Sequence, residues 1–110
     1  MPVFDAAEAL SIVDGDKDLF RELVDVFRDG YAGELQAIRD AIGRRDSEGL
    51  RRASHHLKGT LGTLAAIAAR HTARCLEDLG TRADFEPAPA VYLQMEQQLR
   101  ALDQALSSWR

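Results

Sequence analysis

The sequence predicts an all-α fold, an antiparallel four-helix bundle with a short additional N-terminal helix, and three observations predict it. Prolines stand only at Pro2, Pro87 and Pro89, so about eighty residues run without the residue that most strongly breaks a helix. Apolar residues recur at steps of three and four, while the longest period-2 run is short and lies inside a better helical pattern. Turn signals divide the chain into blocks whose apolar stripes complement one another, as a bundle requires.

Taken in order, a first helix is expected over about 4–13, where Phe4, Ala7, Leu10 and Val13 keep helical spacing. Asp14-Gly15 supplies a turn in which Gly15 suits the left-handed helix end, and Asp16 suits the N-cap of the second helix. That helix, over about 17–43, carries Leu19, Phe20, Leu23, Val24, Phe27, Tyr31, Leu35, Ile38 and Ile42 as one continuous stripe. Gly30 and Gly33 fall off the stripe, and Gly43 with Arg44 and Arg45 reads as its end, where cations suit the helix dipole. A third helix over about 47–64, capped by Asp46 or Ser47, buries Leu50, Ala53, Leu57, Leu61 and Leu64. A fourth over about 67–79 uses Ala68, Thr72, Cys75, Leu76 and Leu79 and is expected to stop at Gly80. Thr81 to Pro89 forms the connector, with Pro87 or Pro89 in the first turn of a fifth helix over about 89–108. Its stripe is Val91, Met95, Leu99, Leu102, Leu106 and Trp109.

The chain of 110 residues fits one domain, with no room for a second catalytic one. Its net charge of −4 opposes a sequence-independent grip on nucleic acid, which needs clustered cations to displace counterions. No apolar run approaches the roughly 18–20 residues of a membrane span, and no basic, apolar leader opens the chain. The single cysteine, Cys75, makes neither an internal disulfide nor a Cys-x-x-Cys site; in its apolar stripe it reads as core. These features place the expected protein in the cytoplasm as a monomer without a metal of its own.

The third helix carries the most informative surface. Arg51, Arg52, Lys58, Gly59 and Gly62 stand at −4, −3, +3, +4 and +7 from His55, so all share its face. Leu57, two residues on, points about 200° away, so a buried Leu57 turns His55 to water. Two glycines within one turn weaken a helix by roughly 1 kcal/mol each relative to Ala. In return they open a lane through which another protein can reach the imidazole. A neutral imidazole is a good nucleophile near pH 7, Lys58 can place an ammonium beside an anion on that ring, and Arg51 and Arg52 raise the local positive potential. The arrangement suits a histidine that accepts and releases a phosphoryl group. His56 is about 100° around the helix, at a spacing from which Lys58 does not face it, and reads as a flanking residue that touches a partner. A zinc site from His55, His56 and His71 is disfavoured, because neighbouring side chains on a helix diverge and no fourth ligand stands at a useful spacing.

The residues Ser54-His55-His56-Leu57-Lys58-Gly59-Thr60 resemble the His-x-Leu-Lys-Gly signature of histidine-containing phosphotransfer (HPt) domains. The stretch Gly15 to Phe27 resembles the start of that family's second helix, and Ala73-Arg74-Cys75-Leu76-Glu77 resembles its Ala-x-x-Leu-Glu segment. The resemblance implies that His55 is phosphorylated on Nε2, that Lys58 stabilises the phosphoryl oxygens and that Gly59 keeps the approach open. It also implies that Glu77 accepts a hydrogen bond from the imidazole Nδ1. A solvated Glu77 paired with Arg70 or Arg74 is the competing reading of that residue. Where the family often has glycine, this chain has Ala65, which is expected to alter the helix junction locally.

The expected function is therefore phosphorelay transfer: His55 takes a phosphoryl group from a receiver-domain aspartyl phosphate and passes it to another receiver aspartate. Arg51, Arg52, His56 and Gly62 are expected to meet the partner. That partner is a response-regulator receiver domain or a hybrid sensor histidine kinase, and it supplies the aspartate and the Mg²⁺. No cofactor is expected in this chain, and with no phosphate-binding loop it is a phosphocarrier rather than a kinase. Two other readings stay open at this point: the phospho-accepting module of a chemotaxis-type histidine kinase, and a non-catalytic helical scaffold.

Overall fold

Three aspartates start the first three helices. The side chains of Asp5, Asp16 and Asp46 accept hydrogen bonds from the backbone N–H groups of Glu8, Leu19 and Gly49 at 3.1, 3.0 and 2.9 Å. Each satisfies a donor that the first turn would leave unpaired. They cap α1 (Ala6–Ile12), α2 (Lys17–Arg44) and α3 (Ser47–Thr63). Two further helices follow, α4 (Ile67–Arg82) and α5 (Ala88–Ser107), the latter with Pro89 in its first turn. The computed structural model describes residues 3–109, which contain no strand; Met1, Pro2 and Arg110 lie outside the described residues.

The four long helices pack in a closed ring, α2 on α3, α3 on α4, α4 on α5 and α5 back on α2, and short α1 lies against α2. Phe20, Phe27 and Ile38 from α2, Leu50, Leu57, Leu61 and Leu64 around α3, Leu76 from α4, and Met95, Leu99 and Leu102 from α5 fill the centre and are fully buried. Phe20 meets Trp109 edge to face at 4.6 Å, which closes the end of the bundle where the chain starts and finishes. Arg28 and Tyr31 both donate to Asp103, at 2.7 and 3.1 Å, and pin α2 to α5.

Gly15 takes the expected left-handed conformation after α1, at φ 77°, but the later helix ends depart from the sequence reading. Each of the first four helices closes through a non-glycine residue in the left-handed region: Asp14, Arg45, Ala65 and Ala83, at φ of 52° to 55°. The backbone bonds around them are those of a Schellman motif. After α3, for instance, Ala65 N–H donates to Gly62 O at 3.1 Å and Ala66 N–H to Leu61 O at 3.0 Å. Gly43 therefore lies inside α2, and Gly80 inside α4, which runs on to Arg82. At the α3–α4 junction Ala65 adopts the left-handed conformation, at φ 53°.

Gly80 serves packing instead. A Cβ at this position would fall 2.6 Å from the backbone nitrogen of Arg51 and 3.0 Å from Ser47 O, so α3 and α4 touch backbone to backbone there. Other expectations change with the stripe. Ala9, not Ala7, is the buried residue of α1; on α4 the buried face is Ala69, Thr72, Ala73, Leu76 and Leu79, leaving Ala68 and Cys75 exposed. Leu19 is also exposed rather than core, although its neighbour Phe20 is fully buried.

Two substitutions test these assignments by chemical denaturation. Gly80→Ala is expected to lower stability by about 1–3 kcal/mol, the range for overpacking a tight contact. Ala83→Gly, at an exposed left-handed position, is expected to raise it by about 0.5–1 kcal/mol, because relief of the left-handed strain exceeds the added chain entropy.

Candidate functional site

The antiparallel register of α3 and α4 brings residues together one helical turn at a time. Arg51 abuts Gly80, His55 meets Glu77, and Gly62 faces Arg70. Leu57 is fully buried, which turns His55 outward, its side chain 64% exposed. The lane beside it is clear, since a Cβ placed on Gly59 meets nothing within 4 Å.

Glu77 is the hub of the site. Its Oε2 lies 2.5 Å from His55 Nδ1, its Oε1 accepts from Lys58 Nζ at 2.6 Å, and its own side chain is only 15% exposed. The hydrogen bond from Lys58 first, and that from His55 after it, hold the Glu77 carboxyl below the usual carboxylate range against the opposing effect of burial. An ionised carboxylate only accepts, so Nδ1 carries the hydrogen, and a neutral ring then presents a bare Nε2 to solvent. Lys58 and His55 thus occupy Glu77 in place of the competing partners, Arg70 and Arg74. Those two arginines line a pocket with Lys58, His71, Glu77 and Asp78 on the α4 side of the histidine.

The remaining expected site residues divide. Arg51 and Arg52 both turn to Glu48, with the shortest contacts at 2.6 and 3.3 Å; hydrogen bonds from Arg51 and then Arg52 bring the Glu48 carboxyl down to about 2. The basic patch is thus partly neutralised from within its own helix. Gly62 stands apart from the histidine groove, with the Arg70 side chain over it at 3.5 Å from an added Cβ. His56 points toward α2, where its Nδ1 lies 2.6 Å from Glu34 Oε1.

Sequence reasoning missed two features. His55, His56, Gly59, Thr60 and Thr63 share a shallow groove with Leu23 and Val26 of α2, and Val26 is 68% exposed. Val26 lies off the apolar stripe of its own helix, and a large apolar residue off the stripe was the available signal. Glu34 had none, because only the fold carries this carboxylate to a residue on the next helix. Among the described residues no helix is long and apolar enough to cross a membrane, and no group of three His, Cys, Asp or Glu side chains is placed to hold a metal ion.

Comparisons with known proteins bear on the whole arrangement. A family model described as Hpt domain matches residues 22–106. The crystal structure of histidine-containing phosphotransfer protein B from Pseudomonas aeruginosa PAO1 superposes with a TM-score of 0.87 at 24% identity, covering 99% of this chain and 98% of that one. At that identity the likeness speaks for the fold. A search of curated proteins finds no match.

The Glu77 link carries a stability prediction. A carboxyl whose pKa is lowered by folding adds stability above its unfolded value of about 4.3, and that stability is lost as pH falls through the lower, folded value. Glu77→Gln is expected to cost about 1 kcal/mol at neutral pH and to shrink the loss of stability as pH falls from neutral to below about 4.3. Urea midpoints measured across that range for both proteins check it; parallel curves would contradict the assignment.

Proposed function

This chain belongs to the Hpt domain family, the histidine phosphotransfer domains of phosphorelays, and we propose that within it His55 is the residue that carries the phosphoryl group. The observation that carries the reading is the contact between His55 Nδ1 and Glu77, with Nε2 left free on an exposed ring. The Nε2 lone pair attacks the phosphorus of a partner's aspartyl phosphate, the P–O bond breaks, and the aspartate leaves as carboxylate. The ring gains positive charge as the N–P bond forms, and Glu77, already at Nδ1, balances it. Transfer onward to another receiver aspartate is the reverse of the same step.

Lys58 is the cation nearest the reaction, held by Glu77 within the same cluster. A phosphoryl group on Nε2 offers it a second acceptor, so the ammonium is shared between carboxylate and phosphoryl oxygens. Gly59 leaves the in-line approach unobstructed. The Mg²⁺ and the acidic residues that bind it belong to the partner receiver domain in this reading, and no cofactor is assigned to this chain.

The groove around His55 supports docking of a receiver domain. Leu23 and Val26 supply an apolar flank, His56 and Thr63 a polar one, and exposed Leu19 extends the apolar side toward the start of α2. A transient partner covers such a patch and excludes water from the reacting atoms. Arg51 and Arg52, offset by Glu48, add long-range steering rather than affinity.

The reading is tested with a phosphorylated receiver as donor and base-stable, acid-labile label as the readout. Wild type and His56→Gln are expected to take up label, and His55→Gln none. Lys58→Ala is expected to slow transfer by about 10²-fold or less, the scale of losing one electrostatic stabiliser. Label retained in His55→Gln and lost in His56→Gln would overturn the site assignment.

A further inference from the structure

The surroundings of His56 resemble those of His55 in part: a carboxylate stands beside each ring, aligned as a hydrogen-bond acceptor for His55 and placed close by but off that alignment for His56. A carboxylate from a neighbouring helix reaches the Nδ1 of each ring: Glu77 of α4 for His55 at 2.5 Å, and Glu34 of α2 for His56 at 2.6 Å. Both carboxylates are largely covered, 15% and 22% exposed, while both rings stand out, 64% and 73% exposed. Gly59 is at +4 from His55 and at +3 from His56, so the missing side chain clears the approach to both rings. On α2, Gly30 precedes Glu34 by four residues on the same face, and a Cβ there also meets nothing within 4 Å. A cation is in range as well. Arg52 stands four residues before His56, 75% exposed, and reaches Glu48 at 3.3 Å.

We propose that His56 is a second phosphoryl acceptor, modified on Nε2 by small phosphodonors of the phosphoramidate or acyl-phosphate class, with Glu34 at its Nδ1. The negative charge of Glu34 beside Nδ1 favours hydrogen on that nitrogen, which a small rotation of the exposed ring would align with the carboxylate, and leaves the lone pair on Nε2. In the step with phosphoramidate, which reacts as the zwitterion with its nitrogen protonated to –NH3⁺, that lone pair forms the N–P bond as the donor's P–N bond breaks, and neutral ammonia leaves with the bonding pair. The Nδ1 hydrogen stays in place, and the positive charge of the phosphorylated ring is balanced by Glu34. Two differences separate the acceptors. Lys58 serves His55 and does not face His56, and Arg52 is shared with Glu48, so the second site has the weaker electrostatic support. A docked receiver aligns its aspartyl phosphate with His55, whereas a small donor in solution is free to reach either ring.

The test uses phosphoramidate with the His55→Gln protein, the His55→Gln/His56→Gln double variant and the His55→Gln/Glu34→Gln variant, each checked for an unchanged circular dichroism spectrum and melting transition. The expected result is one phosphoryl group in His55→Gln, assigned to His56 by tandem mass spectrometry and to Nε2 by ³¹P and ¹⁵N NMR. The double variant, which keeps His71 as its only histidine, is expected to stay unlabelled over the same time. Glu34→Gln is expected to slow labelling about tenfold or more and to add the Nδ1 isomer. Labelling of His55→Gln no faster than of the double variant overturns the proposal, as does a product on Nδ1, or a rate indifferent to Glu34→Gln. None of these outcomes touches the role of His55, which is read from receiver-dependent transfer alone.

Discussion

The backbone contact between α3 and α4 at Gly80 sets the position of everything in the site. A side chain there would push Arg51 away, and the two helices could not approach. Glu77 precedes Gly80 by three residues and His55 follows Arg51 by four, so both lie one turn along the seam from the point of closest approach. A carboxylate on a three-bond side chain reaches an imidazole on the next helix only when the axes are close. The 2.5 Å contact to Nδ1 is therefore a consequence of how α3 and α4 pack, and the glycine that permits it stands one turn along the seam.

Charge is distributed around this seam so that the exposed and the covered groups have different tasks. His55 stands in water, whereas Glu77 and Lys58 are 15% and 24% exposed and hold each other at 2.6 Å. A half-covered pair of this kind has fewer conformations to lose than two free surface chains, and its two members satisfy each other's charge. The paired arginines behave differently. Arg51 and Arg52 converge on Glu48 within a single helix, a contact that any solvated helix of this sequence can form. Both groups hold a carboxylate between two basic side chains, yet only the first is built by tertiary structure.

How much of the molecule was legible in the sequence depends on the range of each interaction. The N-caps at Asp16 and Asp46, the stripes of α2 and α5, and the common face of His55, Lys58 and Gly59 all depend on residues a few positions apart, and spacing alone reveals them. Glu77 is 22 residues from His55 and entered only through resemblance to a family. Glu34 is equally far from His56 on the other side and had no such help. Helix ends were misplaced because the rule for them is statistical: glycine is the residue most at ease in the left-handed region, yet Asp14, Arg45, Ala65 and Ala83 occupy it here. Of the glycines read as stops, Gly80 serves the α3–α4 contact, while Gly43 lies inside α2 with open space where a Cβ would stand. Cys75 illustrates a further limit. One residue of rotation in reading α4 was enough to move it from the expected core to the surface.

A site assembled in this way has a consequence for the energetics of the proposed transfer. A carrier must give up its phosphoryl group as readily as it takes it, so strong stabilisation of phosphohistidine would trap it. Here the cation nearest the ring already has a partner. Any gain that Lys58 makes with the phosphoryl oxygens is offset by a weakened contact with Glu77, and Glu77 in turn is released to compensate the charge on the ring. In the proposed transfer the three groups exchange one charge-assisted contact for another, which limits the difference between the loaded and unloaded states. Exposure of Nε2 acts in the same direction, since water screens whatever attraction remains until a partner covers the groove. On this account the driving force and the metal come from the receiver, and the bundle supplies a fixed tautomer, an open lane and a reversible hold.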